Sequence, residues 1–583
     1  MVGTETATSL GAQEGTTVGV FFAQARRLGE QPLFYQHQGT NWDGLTWNQS
    51  REQVLKIATA LLRAGVAPGQ PVILMSSNRL EWLLCDLAIQ SLGAITVPLY
   101  PNSTPATVAA IVANCEAAVA IVGDSALAAQ LPVGGSLDRI FLMTADVRNW
   151  IDGPLSGAEA ADVESLVAET GPDDICTIIY TSGTTGEPKG VVLLHRNLTD
   201  QARAGLACFS LGPDDVILSF LPYAHVFERV SSIFVGITAG CRIYIARGPD
   251  HLLEDLQQVR PTVMCGVPRI YEKVHSGVQA RVRTSPVHRR TLFAWALSQG
   301  TRKNLAGRGG PAFELANRLV LAKLRKTLTG GRIRVMISGG APLAREVEEF
   351  FWALGIPILQ GWGLTETSSG ATTNRLDQHH FGSVGWALAS TEIRIAEDGE
   401  ILVRGPGVMA GYYKDPESTA KALQGGWFHT GDIGTLNLDG CLTITDRKKD
   451  LIKTTGGKLV APQPIEAQLQ QDPLIDRVVL VGDGRHYVVA LVVPSWAYLS
   501  TRGMTGNPLK LVHDQDVIAL VQERIDSVNS GRANWEQIKY FRLIADDFSI
   551  EAGELTPKMS IRRRQIQENH RQLIDEMYRS RSA

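Results

Sequence analysis

The chain has 583 residues, of which 44% are hydrophobic, 20% charged and 7% aromatic. That composition excludes disordered, collagenous and coiled-coil chains, and the length allows about four domains of ordinary size or fewer large ones. Lys and Arg number 56 against 59 Asp and Glu, a net charge of −3, so no overall field exists to hold a polyanion, and binding of nucleic acid by bulk charge is excluded. Seven cysteines lie scattered without a C-x-x-C pair. Their spacing argues against a zinc ribbon, a redox motif or a disulfide framework, and for a reducing compartment. The first 17 residues lack the basic start and apolar core of a signal peptide, and no run of eighteen uninterrupted apolar residues occurs. The expected location is cytoplasmic.

In chain order, Trp47 to Gly65 reads as an amphipathic helix with Val54, Ile57, Ala58, Leu61 and Leu62 on one stripe and Gly65 as its stop. Val72–Met75 reads as a buried strand, Leu80–Leu92 as a helix and Ile95–Leu99 as the next strand. Helix Val108–Cys115, strand Val119–Val122 and strand Arg139–Met143 extend the pattern. Alternation of this kind predicts parallel sheet covered by helices. From Arg281 to Leu328 the chain reads as helical and basic, with Leu292, Phe293, Trp295 and Leu297 interleaved among the cations. Two readings stand for it: a solvated helical insert, or peripheral attachment to anionic lipid on the inner face of a membrane. After Asp432 short strands and turns take over, and from Asp446 a smaller α+β unit is expected.

The most informative string is Tyr180-Thr181-Ser182-Gly183-Thr184-Thr185-Gly186-Glu187-Pro188-Lys189-Gly190, which follows the apolar strand Ile175–Tyr180. Its glycines let the backbone turn and present N–H groups, and four hydroxyls and Lys189 add donors, the parts of a polyphosphate cradle. It is not a Walker A loop, because Pro188 separates the lysine from Gly186 and no Ser or Thr follows it. Gly405-Pro406-Gly407-Val408-Met409-Ala410 mimics a dinucleotide fingerprint, yet Gly411-Tyr412-Tyr413-Lys414-Asp415-Pro416 follows it instead of a helix. His379-His380 is expected in an exposed polar loop.

The phosphate string resembles the signature loop of the adenylate-forming superfamily, which includes acyl-CoA synthetases, peptide-synthetase adenylation domains and luciferases. The resemblance runs along nearly the whole chain. It implies an α/β fold with a large N-terminal domain of layered α/β subdomains (1–446) and a small, mobile α+β C-terminal domain (447–583) hinged near 446–450. Thr181, Ser182, Gly183, Thr184, Thr185, Gly186 and Lys189 would grip the triphosphate of ATP, with Thr185 also at Mg2+. Pro222-Tyr223-Ala224-His225-Val226-Phe227-Glu228-Arg229 resembles the family's aromatic and histidine segment beside the acyl carboxylate, and His225 becomes a pocket-wall candidate. Gly339, Gly340 and Ala341 would lie against adenine. In Gln360-Gly361-Trp362-Gly363-Leu364-Thr365-Glu366, Gln360 and Gly363 flank the nucleotide, Trp362 stacks on adenine, Thr365 bonds phosphate and Glu366 holds Mg2+. By the same resemblance Asp432 would be the candidate ribose ligand, Arg447 would meet ribose or phosphate, Lys449 would sit at the hinge, and Gly456, Gly457 and Lys458 would line the path of coenzyme A.

One departure stands out. The family places a lysine in a C-terminal string like L-T-P-x-M-K, where this chain has Leu555-Thr556-Pro557-Lys558-Met559-Ser560. Ser560 occupies the lysine's place, and Lys558, two residues earlier on an extended segment, faces the same side and is the candidate catalytic replacement. Among the branches, the chain is most similar to long-chain fatty acyl-CoA synthetases, on the Val267–Lys273 segment, the basic insert and the L-T-P string. That implies a ligase using a long-chain fatty acid, ATP and CoA. The alternatives are delivery of the acyl group to an acyl-carrier protein, and a nucleotide- and acyl-binding protein that has lost turnover.

Overall fold

A computed structural model describes residues 15–132, 134–182, 188–556 and 561–579, and of Ser182 the backbone only. It divides into two compact units. The larger takes in residues up to Tyr271, Arg281–Arg394 and Leu402–His429; the smaller takes in Glu272–Ala280, Ile395–Ile401 and the chain from Thr430 onward.

The larger unit holds two sheets. In the first, Pro71–Met75, Ile95–Leu99, Val119–Val122 and Arg139–Leu142 run parallel, as the alternation of strand and helix predicts. The first three are nearly continuous in Val, Ile and Leu because helices cover them, which leaves no solvent side to favour a polar residue, whereas the edge strand Arg139–Leu142 exposes Arg139 and Ile140. Ile95–Leu99 joins Ile175–Ser182, which turns back as the antiparallel strand Pro188–Leu194 and then pairs with the short strand Gly411–Tyr412. The helix Trp47–Arg63 starts with a capping box: the Thr46 hydroxyl accepts from the Gln49 N–H, and the Gln49 side chain accepts from the Thr46 N–H. Its buried stripe departs from the expected one at a single position. Leu62 is 36% exposed, whereas Leu55, one residue over on the helical wheel, is 2% exposed.

The second sheet has nine strands, and its central members Val216–Ser219, Val263–Gly266, Val335–Ser338 and Ile358–Trp362 lie side by side and parallel. A parallel arrangement puts the carboxyl ends of all four on one edge, where ligand-binding loops of open α/β sheets gather. The basic segment folds as the helices Val287–Asn304, Pro311–Ala316 and Ala322–Thr329. The first seats closely on the helix Arg345–Leu354: a Cβ at Gly300 would lie 2.0 Å from the Ala353 carbonyl oxygen. Its first six residues, Val287 to Leu292, are all exposed. Among the described residues no helix is long and apolar enough to cross a membrane.

In the smaller unit, Ile475–Val481 and Val488–Pro494 pair antiparallel and Ile538–Leu543 adds a parallel third strand. Helices Pro462–Leu469 and Gln515–Asn529 pack on one face through Ile465, Leu469, Val517, Val521 and Ile525. The opposite face is covered by Leu555, Ile566, Ile574 and Met577. Arg563, partly buried here, donates to both carboxylate oxygens of Glu466 (2.6 and 2.9 Å) and to the Leu480 carbonyl.

Candidate functional site

Three of the expected segments leave the same edge of the nine-stranded sheet. Leu221 to Glu228 follows strand Val216–Ser219, Gly339 to Leu343 follows Val335–Ser338, and Gly363 to Glu366 follows Ile358–Trp362. They also touch. The Phe227 ring lies against Gly339, where a Cβ would sit 3.1 Å from it, so a larger residue would push the ring back. Gly340 has φ +82° with nothing within 4 Å of a Cβ position, which leaves an open face at the turn where a flat ring can approach. The Ser338 hydroxyl just before it is buried without a partner among the described residues.

Gln360 is 4% exposed, and both ends of its amide are engaged: Oε1 accepts from the Leu343 N–H (3.0 Å) and Nε2 donates to Glu348 (2.9 Å). Its side chain therefore braces the Gly339–Leu343 turn from below. Glu348 also meets His379 Nε2 at 3.0 Å and accepts from the Gly382 N–H. His379 is thus not in an exposed polar loop as expected. Its side chain is 7% exposed, set between Trp352 and Phe381, because a fully buried carboxylate needs a donor and the aromatic slot supplies apolar cover. His380 is exposed.

Trp362, 9% exposed, ends its strand opposite Thr372. Gly363 admits no side chain, since a Cβ would fall 1.8 Å from the Ser369 carbonyl oxygen. Thr365, 6% exposed, opens the short turn that carries Glu366. His225 Nδ1 accepts from the Phe227 N–H at 3.0 Å, so the neutral ring carries its proton on Nε2.

Three residues on, Glu228 is fully buried, with Ser219 and Ser232 hydroxyls donating to its two carboxylate oxygens and Tyr223 and Cys265 beside it. Burial pushes its carboxyl up to about 8. The unfolded chain releases that proton near pH 4.5, so the stabilisation is complete below that pH and is lost as pH rises through about 8. Glu228→Gln is expected to remove this decline. Melting temperatures from pH 5 to 9 should show the wild type falling relative to the variant; parallel profiles contradict it.

Of the phosphate string, Gly183, Thr184, Thr185 and Gly186 lie outside the described residues, as does Lys558. The flanking strands are described, with Thr181 opposite Lys189. A strand, not a helix, follows the string, which is the physical difference from a Walker loop. The Lys189 ammonium donates to the Ser418 hydroxyl (2.5 Å), lies 3.7 Å from an Asp415 oxygen and sits 5.3 Å from the Tyr412 ring centre. The Tyr412 hydroxyl in turn donates to Glu366 Oε1 at 3.0 Å, and the Met409 N–H donates to the Glu366 carbonyl. The two sheets of the larger unit therefore bring Lys189 to the ring face and Glu366 to the hydroxyl of one phenol. Tyr412, Asp415 and Ser418 were not singled out from sequence; Gly411–Pro416 served there only as an argument against a dinucleotide loop.

In the smaller unit, Asp432 pairs across a hairpin with Arg447, whose Nε lies 3.3 Å from Asp432 Oδ1. Asp432 is 4% exposed and Arg447 exposed. Asp446 accepts from the N–H groups of Arg447 and Gln463, and burial pushes its carboxyl up to about 6. Lys449 is exposed. Gly456 and Gly457 form the turn between Ile452–Lys453 and Leu459–Val460, and Lys458 lies 4.9 Å from the Trp535 ring centre. A separate open pocket of about 560 Å3, lined by Leu92, Ile95, Leu166, Glu169 and Asp174 among others, lies at the amino ends of the first sheet's strands. None of the expected site residues lines it.

Residues 21–413 match the family model of the AMP-binding enzymes, and residues 449–582 match that of the AMP-binding enzyme C-terminal domain. The chain belongs to the AMP-binding enzyme family. Among its relatives in the family, the long-chain-fatty-acid–CoA ligase FadD15 of Mycobacterium bovis is 34% identical over 566 residues, 92% of each chain. Fatty acyl-CoA synthetase A of Dictyostelium discoideum is 30% identical over 94% of this chain and 88% of its own. Two solved structures share the fold: a Mycobacterium tuberculosis fatty acyl CoA synthetase (TM-score 0.65, 20% identity, 96% of this chain and 99% of that one) and the anthranilate CoA ligase AuaEII in complex with anthranoyl-AMP (TM-score 0.72, 18% identity, 95% and 97%).

Proposed function

We infer that the chain is an AMP-forming long-chain fatty acid–CoA ligase. The observation that carries this reading is the meeting of Lys189 and Glu366 at Tyr412, in an AMP-binding enzyme whose relatives at 30–34% identity are named fatty acyl-CoA synthetases and ligases. A carboxylate resists thiols because its leaving group would be oxide. In the first step a fatty-acid carboxylate oxygen bonds to the α-phosphorus of ATP and the bond to pyrophosphate breaks. In the second the CoA sulfur bonds to the acyl carbon, the bond to AMP breaks, and the thiol proton passes to solvent.

The first step sets an anion against a polyanion, so the protein's work is positioning and charge balance. Lys189 offsets phosphate charge and Thr365 donates to it. Glu366 suits Mg2+: its Oε2 has no partner among the described residues, and none of these groups three His, Cys, Asp or Glu into a metal cluster, so most ligands would come from phosphate and water. Bound there, the ion would supply neutralisation of phosphate charge. Trp362 and Gly339–Ala341 take adenine, Asp432 the ribose hydroxyls, and Arg447 the ribose or a phosphate. Lys449 acts at a hinge near 446–450 between domains 1–446 and 447–583, and Gly456–Lys458 lines the CoA path. Lys558 takes the role of the family's C-terminal lysine.

A pyrophosphate-release panel over acetate, octanoate, palmitate, cinnamate and amino acids tests the reading. Palmitate should give the strongest response, and Lys558→Ala should abolish most of it; selective response to aromatic or amino acids overturns it. Acyl transfer to a carrier protein but not to CoA would reassign the acceptor.

The basic helices add a partner. Residues 281–328 hold eleven Lys or Arg against one acid, Glu314, and Val287 and Leu292 are 72% and 39% exposed beside the exposed Arg289 and Arg290. Cations around protruding apolar side chains suit an anionic bilayer. The protein should sediment with phosphatidylglycerol vesicles, not with phosphatidylcholine vesicles, and Arg289→Glu with Arg290→Glu should release it. Equal recovery with both vesicle types contradicts this.

A further inference from the structure

The Tyr412 phenol touches both charged groups of the triphosphate reading, and nothing in the family match assigns it. Its place is fixed by backbone. Gly411 and Tyr412 pair antiparallel with Val192 and Val191, the Tyr412 N–H donates to the Thr419 hydroxyl at 2.8 Å, and the Tyr413 N–H donates to the Gly190 carbonyl at 2.7 Å. This short strand is thus stitched to the one that carries Lys189. On the other side, the Met409 N–H holds the Glu366 carbonyl at 2.8 Å, so the turn that carries Glu366 is tied to the same segment. Asp415 caps the next helix by accepting from the Ser418 N–H (2.9 Å), and that cap presents the hydroxyl and carboxylate that face Lys189.

We propose that Tyr412 is a positioning residue that sets the distance between Lys189 and Glu366, its hydroxyl orienting the carboxylate and its ring face supporting the ammonium. The two parts are separable. The hydroxyl bond holds Glu366 by Oε1, which bears on a cation bound with the nucleotide. The ring contact is a cation–π support for Lys189, which bears on the phosphates themselves.

This rests on the ligase reading, and binding measurements separate the two. ATP affinity of the full-length protein is measured by calorimetry, with MgCl2 and with EDTA, for wild type, Tyr412→Phe and Tyr412→Leu. Tyr412→Phe should weaken binding in MgCl2 about tenfold, the effect of losing one hydrogen bond to a charged group, and leave binding in EDTA unchanged. Tyr412→Leu should weaken binding in both. An unchanged melting temperature for Tyr412→Phe shows that the fold is intact. Equal losses in both media for Tyr412→Phe, or no loss in either, overturns the proposal alone. A wild type that binds no ATP under either condition overturns the ligase reading with it.

Discussion

Glu366→Ala is expected to lower palmitate-dependent pyrophosphate release by about 10²–10³-fold, the scale seen when one preorganised charge-stabilising group is removed from a transition state. The carboxylate is placed by three independent constraints: the strand Ile358–Trp362 that ends just before it, the Met409 N–H on its carbonyl and the Tyr412 hydroxyl on Oε1. It is also half-exposed, so its removal leaves no buried donor stranded beyond the phenol, and stability should change little. The expected signature is a large fall in rate with a melting temperature close to wild type. Activity within threefold of wild type would remove Glu366 from the chemistry.

Asp86→Ala is expected to destabilise the larger unit by about 3–5 kcal/mol, the cost of stranding a buried charge. Asp86 and Arg229 are 3% and 1% exposed. Arg229 Nε donates to Asp86 Oδ2 at 2.8 Å and a second guanidinium nitrogen to Oδ1 at 2.5 Å, while Gln90 and Thr96 also donate to Oδ1 at 2.8 Å. A third guanidinium nitrogen reaches the Thr177 hydroxyl at 2.8 Å. The cluster joins helix Leu80–Ser91 to strand Ile175–Ser182 and to the turn that begins four residues after His225, so it fixes the phosphate-loop strand and the acyl-side segment together. Urea unfolding of wild type, Asp86→Asn and Asp86→Ala should rank in that order of falling stability. A loss below about 1 kcal/mol for Asp86→Ala would mean that water or a rearranged neighbour satisfies Arg229.

The strands of the first sheet were legible because burial on both faces leaves continuous apolar runs: Ile95–Leu99 and Val119–Val122 have the bounds read from sequence. The glycine-rich turns after strands were legible for a similar reason, since close approach and positive φ restrict those positions to glycine. Side-chain networks were not. Asp86 and Arg229 are 143 residues apart, and Tyr412 and Glu366 46 apart, so no local spacing marks either pair. His379 read as polar surface because its partner Glu348 and its cover Trp352 lie about thirty residues upstream. Leu62 read as core because it lies about 20° of wheel rotation from the buried Leu55; it sits in the last turn of the helix, where it is 36% exposed.

Exchange of labelled pyrophosphate into ATP, followed with palmitate present and CoA absent, tests the central assignment most directly. Palmitate should drive rapid exchange, and later addition of CoA should discharge the bound adenylate as palmitoyl-CoA and AMP in equal amounts. ATP cleaved to ADP, or exchange that proceeds equally without any carboxylate, would contradict it.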